Sequence, residues 1–210
     1  MIKIESIYCD FDGTVTKTDS VNTFFEMYAD KSWTYYENLW IEGKITSQEN
    51  AIKQVALIQE MPKETLQKYI DSIEVDDYFI KFWEYLTKNN IKLTILSDGF
   101  DLFIKAILDR YNIKNVDFYA NHLVYKNNKF SIEFPYHNNS CDIGAGMCKC
   151  EKIKEKEFCY VGDGTSDLCV AKKANLLFAT KTLKKHCEQN NVKHIPFNSF
   201  KDIMDYLKNN

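Results

Sequence analysis

The alternation of apolar and polar positions starts at the N-terminus. IKIESIYC, residues 2 to 9, runs in period two straight into DFDGT, which predicts a strand and then a turn. The period then lengthens. Val21, Phe24, Phe25 and Tyr28 lie at i, i+3, i+4, i+7, and Leu66, Tyr69, Ile70 and Ile73 repeat that spacing behind Pro62, a residue suited to a helix start. Between them SWTYYENLW and TSQENAIKQVALIQ predict two more helices, the second opened by Thr46 or Ser47 as N-cap. No strand signal interrupts residues 18 to 74.

From Asp76 onwards strand and helix alternate. Phe79, Phe82, Trp83 and Leu86 mark a helix ended by Asn89-Asn90. IKLTILS then reads as a buried strand, GFDLFIKAILDRY as a helix, VDFYA as a strand, and HLVYKNNKFSIEF as a hairpin turning at Asn127-Asn128. A glycine- and cysteine-rich loop follows, then a short helix near Lys152, strand EFCYVG, helix TSDLCVAKKA and strand NLLFA. The last helix carries Phe200, Ile203, Met204 and Leu207. Alternating strands and helices predict an α/β fold with a parallel, doubly wound sheet. The expected division is a core of residues 1–15 and 80–210, with a helical insertion at 16–79.

Composition narrows the function classes. With 45% hydrophobic and 14% aromatic residues among 210, a substantial core is expected rather than disorder. A formal charge of -3 gives no reason to expect nucleic acid or an acidic membrane surface. No apolar run approaches the ~20 residues of a membrane span, and the N-terminal stretch is too short and broken for a signal peptide. The expected location is therefore cytoplasmic, with the seven cysteines as reduced thiols. Arg110 is the only arginine, so an anion site elsewhere must rely on lysine, backbone N–H groups or a metal.

The candidate chemistry lies at strand ends, where open α/β sheets bind ligands. Asp10 and Asp12 of DFDGT start on one side of the first strand, and the turn at Gly13 lets the chain depart. A calcium loop is excluded because its sixth and twelfth positions would be Val15 and Val21. Asp163 and Asp167 of GDGTSD follow the apolar strand FCYV, in a pattern that is neither a P-loop nor a dinucleotide fingerprint. Four carboxylates at strand ends repel one another unless a cation sits among them. Asp10, Asp163 and a backbone carbonyl suit Mg²⁺. Ser97, in Ser97-Asp98-Gly99-Phe100, is either an N-cap or, with backbone N–H groups, an uncharged anion cradle. Cys141, Cys148 and Cys150, with His137 nearby, raise a zinc clip. Their spacing, six and one intervening residues, lacks the Cys-x2-Cys pairing of structural zinc.

DFDGT, the serine of LSDGF, a downstream lysine and GDGTSD, in that order, resemble the four motifs of the haloacid dehalogenase superfamily, and the helical insertion resembles the cap of its phosphoserine-phosphatase-like subgroup. The resemblance implies a phosphatase with Asp10 as nucleophile and Asp12 as acid and base, whose backbone carbonyl also ligates Mg²⁺. It further implies Ser97 and the Gly99 N–H on phosphate oxygens, Asp163 on Mg²⁺, and Asp167 in support. The loop before Lys149 is similar to that of the methionine-salvage phosphatases acting on 2-hydroxy-3-keto-5-methylthiopentenyl-1-phosphate, which favours Lys149 over Lys152 as the motif lysine. Two of the cysteines expected there are Ala145 and Met147. In the insertion, Asp19 sits where phosphoserine phosphatases place an acid for the substrate ammonium. Gln54 replaces the arginine that holds the substrate carboxylate, and Lys53 lacks the fork geometry. The expected substrate is therefore a small sugar-like or keto phosphate ester before phosphoserine, phosphocholine or a pyridoxal ester. A catalytically silent binding protein is the reading from another class. A homodimer is allowed by the sequence.

Overall fold

The computed structural model describes residues 4–141 and 144–210. Ile2 and Lys3 of the expected first strand, and Asp142 and Ile143 of the cysteine-rich loop, lie outside them. Strands β1 (Ser6–Cys9), β2 (Lys92–Phe100), β3 (Asp117–Lys126), β4 (Lys129–Glu133), β5 (Cys159–Gly162), β6 (Leu176–Ala179) and β7 (Ile195–Pro196) form one seven-stranded sheet in the order β4-β3-β2-β1-β5-β6-β7. Every neighbouring pair is parallel except β3 and β4. The order reverses at β1, which lies between β2 and β5, so the C-terminal ends of these three strands flank the crevice of a doubly wound sheet.

Side-chain parity splits the core into two. Ile7 and Cys9 of β1, with Ile95, Val161 and Phe178, face one apolar cluster. Tyr8, Leu96, Tyr160 and Leu177 face the other. The first layer is built with α5 (Phe79–Lys88), α6 (Asp101–Arg110) and α10 (Phe200–Asn209), where Phe79 and Phe82 meet Phe200. The second holds α7 (Lys149–Lys152), α8 (Leu168–Ala171) and α9 (Lys181–Gln189).

The insertion contains α1 (Ser20–Tyr28), α2 (Trp33–Ile41), α3 (Ser47–Val55) and α4 (Lys63–Ser72). Asp19 caps α1 by accepting from Asn22 N, and Thr46 caps α3 in a reciprocal box with Glu49. Pro62 sits one position earlier than a first helical residue, at the N-cap of α4. Phe24 packs on Tyr69 and Phe103, so the insertion shares the first cluster with the sheet. Its two ends meet in a short antiparallel neck: Thr16 pairs with Val75, Lys17 N donates to Glu74 O, and Asp76 N donates to Val15 O. Arg110 spends its guanidinium on the Ile70 and Ile73 carbonyls at the end of α4.

Several elements differ from their sequence reading. Strand VDFYA and the first arm of the hairpin are one strand, β3, which pairs with β2 and then with β4. β2 continues through Ser97 to Phe100 because a register shift against β3 absorbs the loop-like SDG. Ser97 is therefore not an N-cap; Phe100 occupies that position for α6 without a side-chain bond. The TSD of TSDLCVAKKA is a 3-10 turn, Thr165–Asp167, ahead of the short α8. Helix α9 and the two-residue β7 had no clear signal, since α9 buries only Leu183 and Cys187. Among the described residues, no helix is long and apolar enough to cross a membrane.

Candidate active site

The first carboxylate stands where β1 ends. Asp10 N donates to Val161 O, which ties the exit of β1 to β5, and Asp10 Oδ1 accepts from Phe11 N at 2.8 Å. Lys149 Nζ lies 2.9 Å from the same Oδ1. Among the described residues Asp10 Oδ2 takes no hydrogen bond.

Lys149 is 2% exposed and divides its ammonium among Asp10, Asp167 Oδ1 at 2.6 Å and Ser166 Oγ at 3.1 Å. Burial on its own would lower its pKa; the charges of Asp10 and Asp167 outweigh that and raise it. Lys152 points elsewhere, its Nζ 4.4 Å from the Tyr136 ring centre.

Asp167, fully buried, accepts at Oδ1 from Tyr160 OH as well as Lys149, and at Oδ2 from Asp163 N (3.0 Å) and Gly164 N (2.9 Å). Its oxygens are thus engaged by protein donors, and it holds the Gly162–Thr165 turn in shape. Asp163 accepts from Thr14 Oγ1 at 3.0 Å and pairs with Lys181 Nζ at 3.2 Å, while Lys181 also donates to Gly13 O. Gly13 has φ +76°, and a Cβ there would come within 2.5 Å of Asp163 Oδ2, so only glycine admits this approach. Oxygens of Asp10, Asp163 and Asp167 lie within 4.8 Å of one another. Burial, and then the Asp167 charge, push both Asp10 and Asp163 above the usual carboxylate range.

Asp12 turns towards the end of β2. Its Oδ1 accepts from Ser20 Oγ and its Oδ2 from Ser97 Oγ at 3.0 Å, while Ser97 Oγ accepts from Gly99 N at 2.9 Å. A Cβ on Gly99 would collide with Asp12 Oδ2. The Asp12 carboxylate therefore occupies the cradle that Ser97 and Gly99 present to an anion. Burial first, and the Asp19 charge second, raise its pKa to about 7.

Asp10, Asp12, Ser97, Gly99 and Asp163 form the floor of a cavity of about 300 Å³ between the strand ends and α1–α3, with Lys149 and Asp167 buried behind it. Asp19 and Gln54 line its wall. Gln54 is 3% exposed, far from a free surface residue, and its Nε2 donates to Glu37 Oε2 at 2.9 Å and Trp33 O at 3.4 Å. The sequence reading did not single out Thr14, Ser20, Glu37, Asn50, Tyr160, Ser166 or Lys181. Thr14 and Ser166 sit inside DFDGT and GDGTSD and were legible there; Lys181 lies on the unforeseen α9. Among the described residues, none of the seven cysteines is in a disulfide. Cys148 meets Cys141 and Cys169 meets Cys150, but among the described residues the acidic trio is the one place where three metal-ligand atoms converge.

A family model described as haloacid dehalogenase-like hydrolase matches residues 7–172. This chain belongs to that family. It is an enzyme of the hydrolase class, and the matched span includes Asp10, Lys149 and Asp167 alike. Among curated relatives, a 2-hydroxy-3-keto-5-methylthiopentenyl-1-phosphate phosphatase from Bacillus cereus is 29% identical over 96% of this chain and 95% of its own length. The protein of that name from Bacillus pumilus is 31% identical, covering 94% of this chain and 88% of its own. A solved phosphoserine phosphatase with a phospho-aspartyl intermediate analogue superposes with a TM-score of 0.71 at 23% identity, over 98% of this chain and 99% of that one. At that identity the likeness concerns the fold.

Proposed function

We propose that this hydrolase is a Mg²⁺-dependent phosphomonoesterase working through an aspartyl-phosphate on Asp10. The observation that carries the reading is the placement of Asp10: one oxygen is fixed by Phe11 N and Lys149, and the other is unencumbered towards the cavity floor. Residues 16–79 serve as a helical cap over a core of residues 1–15 and 80–210.

The donor set fits a hard divalent cation. It is all oxygen, with two carboxylates of raised pKa that a positive charge would relieve. Asp10, Asp163 and the Asp12 carbonyl would hold Mg²⁺, and Asp167, already saturated with protein donors, would support Lys149 instead. Bound there, Mg²⁺ supplies charge compensation for the phosphoryl group.

The remaining chemistry belongs to the chain. Asp10 Oδ2 forms a bond to phosphorus as the ester P–O bond breaks, and Asp12 gives its proton to the departing oxygen. Asp12 then takes a proton from the water whose oxygen bonds to phosphorus and displaces Asp10. A carboxyl with pKa about 7 can do both near neutrality. Turning Asp12 to the leaving oxygen frees the Ser97 hydroxyl for a phosphate oxygen and clears the space beside Gly99, whose N–H would exchange Ser97 Oγ for a second phosphate oxygen, and Lys149 offsets charge on the same group throughout.

The named relatives support 2-hydroxy-3-keto-5-methylthiopentenyl-1-phosphate as first substrate, with phosphoserine second. The test is Asp10→Asn assayed on an aryl phosphate with Mg²⁺. Turnover should fall roughly a thousandfold or more, as loss of a nucleophile requires. Activity that survives the change would exclude the aspartyl-phosphate route.

A further inference from the structure

The far end of the cavity, away from the four aspartates, has a chemical bias of its own. Glu37 on α2 faces Asn50 and Gln54, which sit four residues apart on one face of α3. Both amides donate to a single oxygen, Glu37 Oε2, each at 2.9 Å. Glu37 Oε1 accepts nothing among the described residues.

Asn50 adds an independent sign. It is 5% exposed and lines the cavity, yet its Oδ1 is buried without a donor. Rotating the amide would not cure this, because the oxygen would then stand against the Glu37 carboxylate at the distance now held by the N–H. A buried acceptor left unpaired costs about 1–3 kcal/mol, which a ligand donor would recover if a small shift of the amide brought Oδ1 to the cavity. Asp19 lines the same wall. Among the described residues lining the cavity the one cation is Lys181, which is tied to Asp163 and Gly13 O at the phosphate end. Arg110 is committed to α4.

We propose that Glu37 and Asn50 are specificity-determining residues, accepting hydrogen bonds from a hydroxyl or ammonium on the organic part of the ester and rejecting a carboxylate there. This rests on the phosphomonoesterase reading and deepens it. The occupant is a small phosphate ester with a hydrogen-bond-donating end of neutral or positive charge. Trp40 and Phe25 on the same wall accept its apolar portion. A carboxylate in that position would meet Glu37, while Lys181 is already engaged by Asp163 and Gly13 O.

Matched esters isolate each contribution. Phosphoserine and phosphoethanolamine differ by the carboxylate alone; 2-hydroxyethyl phosphate and ethyl phosphate differ by the hydroxyl alone. For the unaltered enzyme with Mg²⁺, kcat/KM should favour phosphoethanolamine over phosphoserine by about tenfold or more, and 2-hydroxyethyl over ethyl phosphate by about tenfold, the size of one hydrogen bond to a charged group. Glu37→Gln keeps the shape and removes the charge, and should narrow the first ratio to about threefold or less. Ratios cancel any loss common to all esters, and the unaltered enzyme decides the matter even if the variant does not fold. Equal use of phosphoserine and phosphoethanolamine, or an unchanged ratio in Glu37→Gln, overturns the assignment. Aryl phosphate turnover separates the two levels. Its absence in the unaltered enzyme defeats the phosphomonoesterase reading, whereas its presence without discrimination among the esters defeats this inference alone.

Discussion

A lysine that is 2% exposed stays charged only when its surroundings replace water, and Lys149 has two carboxylates and a hydroxyl to do so. Removing the ammonium leaves Asp10 and Asp167 facing each other with no cation between them. Lys149→Met should therefore lower aryl phosphate turnover about a thousandfold and destabilise the fold by about 3 kcal/mol in denaturant titration, whereas Cys150→Ser should change kcat by less than about twofold. A damaging cysteine change beside a tolerated lysine change would return attention to a thiol-bound metal. The two lysines also mark the limit of residue-level reading. Spacing alone left Lys149 and Lys152 open, and the choice rested on the similarity of the loop. Burial separates them: one enters the carboxylate cluster and the other lies over Tyr136. Tyr160 and Ser20 were not legible, because each acts on a partner brought near by folding rather than by a motif.

At the scale of elements, the clear signals were the periodic ones. Asn127 and Asn128, with φ 53° and 63°, turn the β3–β4 hairpin as a two-residue loop, which the NN pair announced. The SDG segment misled because a bulged strand and a strand-to-helix loop share their residue types. A link between elements offers a pH test. His122 on β3 lies 2.6 Å from Asp101 at the start of α6, and this hydrogen bond is the main cause of a histidine pKa raised above 6.5. Because the folded value is raised, the contribution is complete below the unfolded value near 6.5 and fades as pH rises through the folded one. Half of the His122 side chain is exposed, so screening keeps the effect below about 1 kcal/mol. Denaturant unfolding of His122→Gln should show a deficit at about pH 5.5 that closes by about pH 8.5. A deficit that grows with pH would mean the pair does not behave as a charged one.

For the whole molecule, the sheet order puts β1 where the winding of the parallel sheet reverses, and the ends of β1, β2 and β5 each contribute one part of the site. Strand and helix alternation made the α/β class readable, but the order itself, and the contribution of α9 through Lys181, depend on long-range pairing that no local pattern encodes. The cost of gathering Asp10, Asp163 and Asp167 should appear in global stability. Mg²⁺ at about a hundredfold excess over its Kd should raise Tm by about 5 °C or more, and Asp163→Asn should abolish most of that rise. An equal rise in the variant would place the cation elsewhere. The neck at Thr16 and Val75 carries a further consequence. The chain leaves the sheet and returns to it at neighbouring residues, so to the strands the whole helical excursion is equivalent to a tight turn. Asp10, the proposed nucleophile, and Lys149 lie on one side of that junction, and Glu37 and Asn50 lie on the other. Heritable change can therefore rewrite what the enzyme accepts, by insertion, exchange or drift in the excursion, while the reaction machinery is inherited intact.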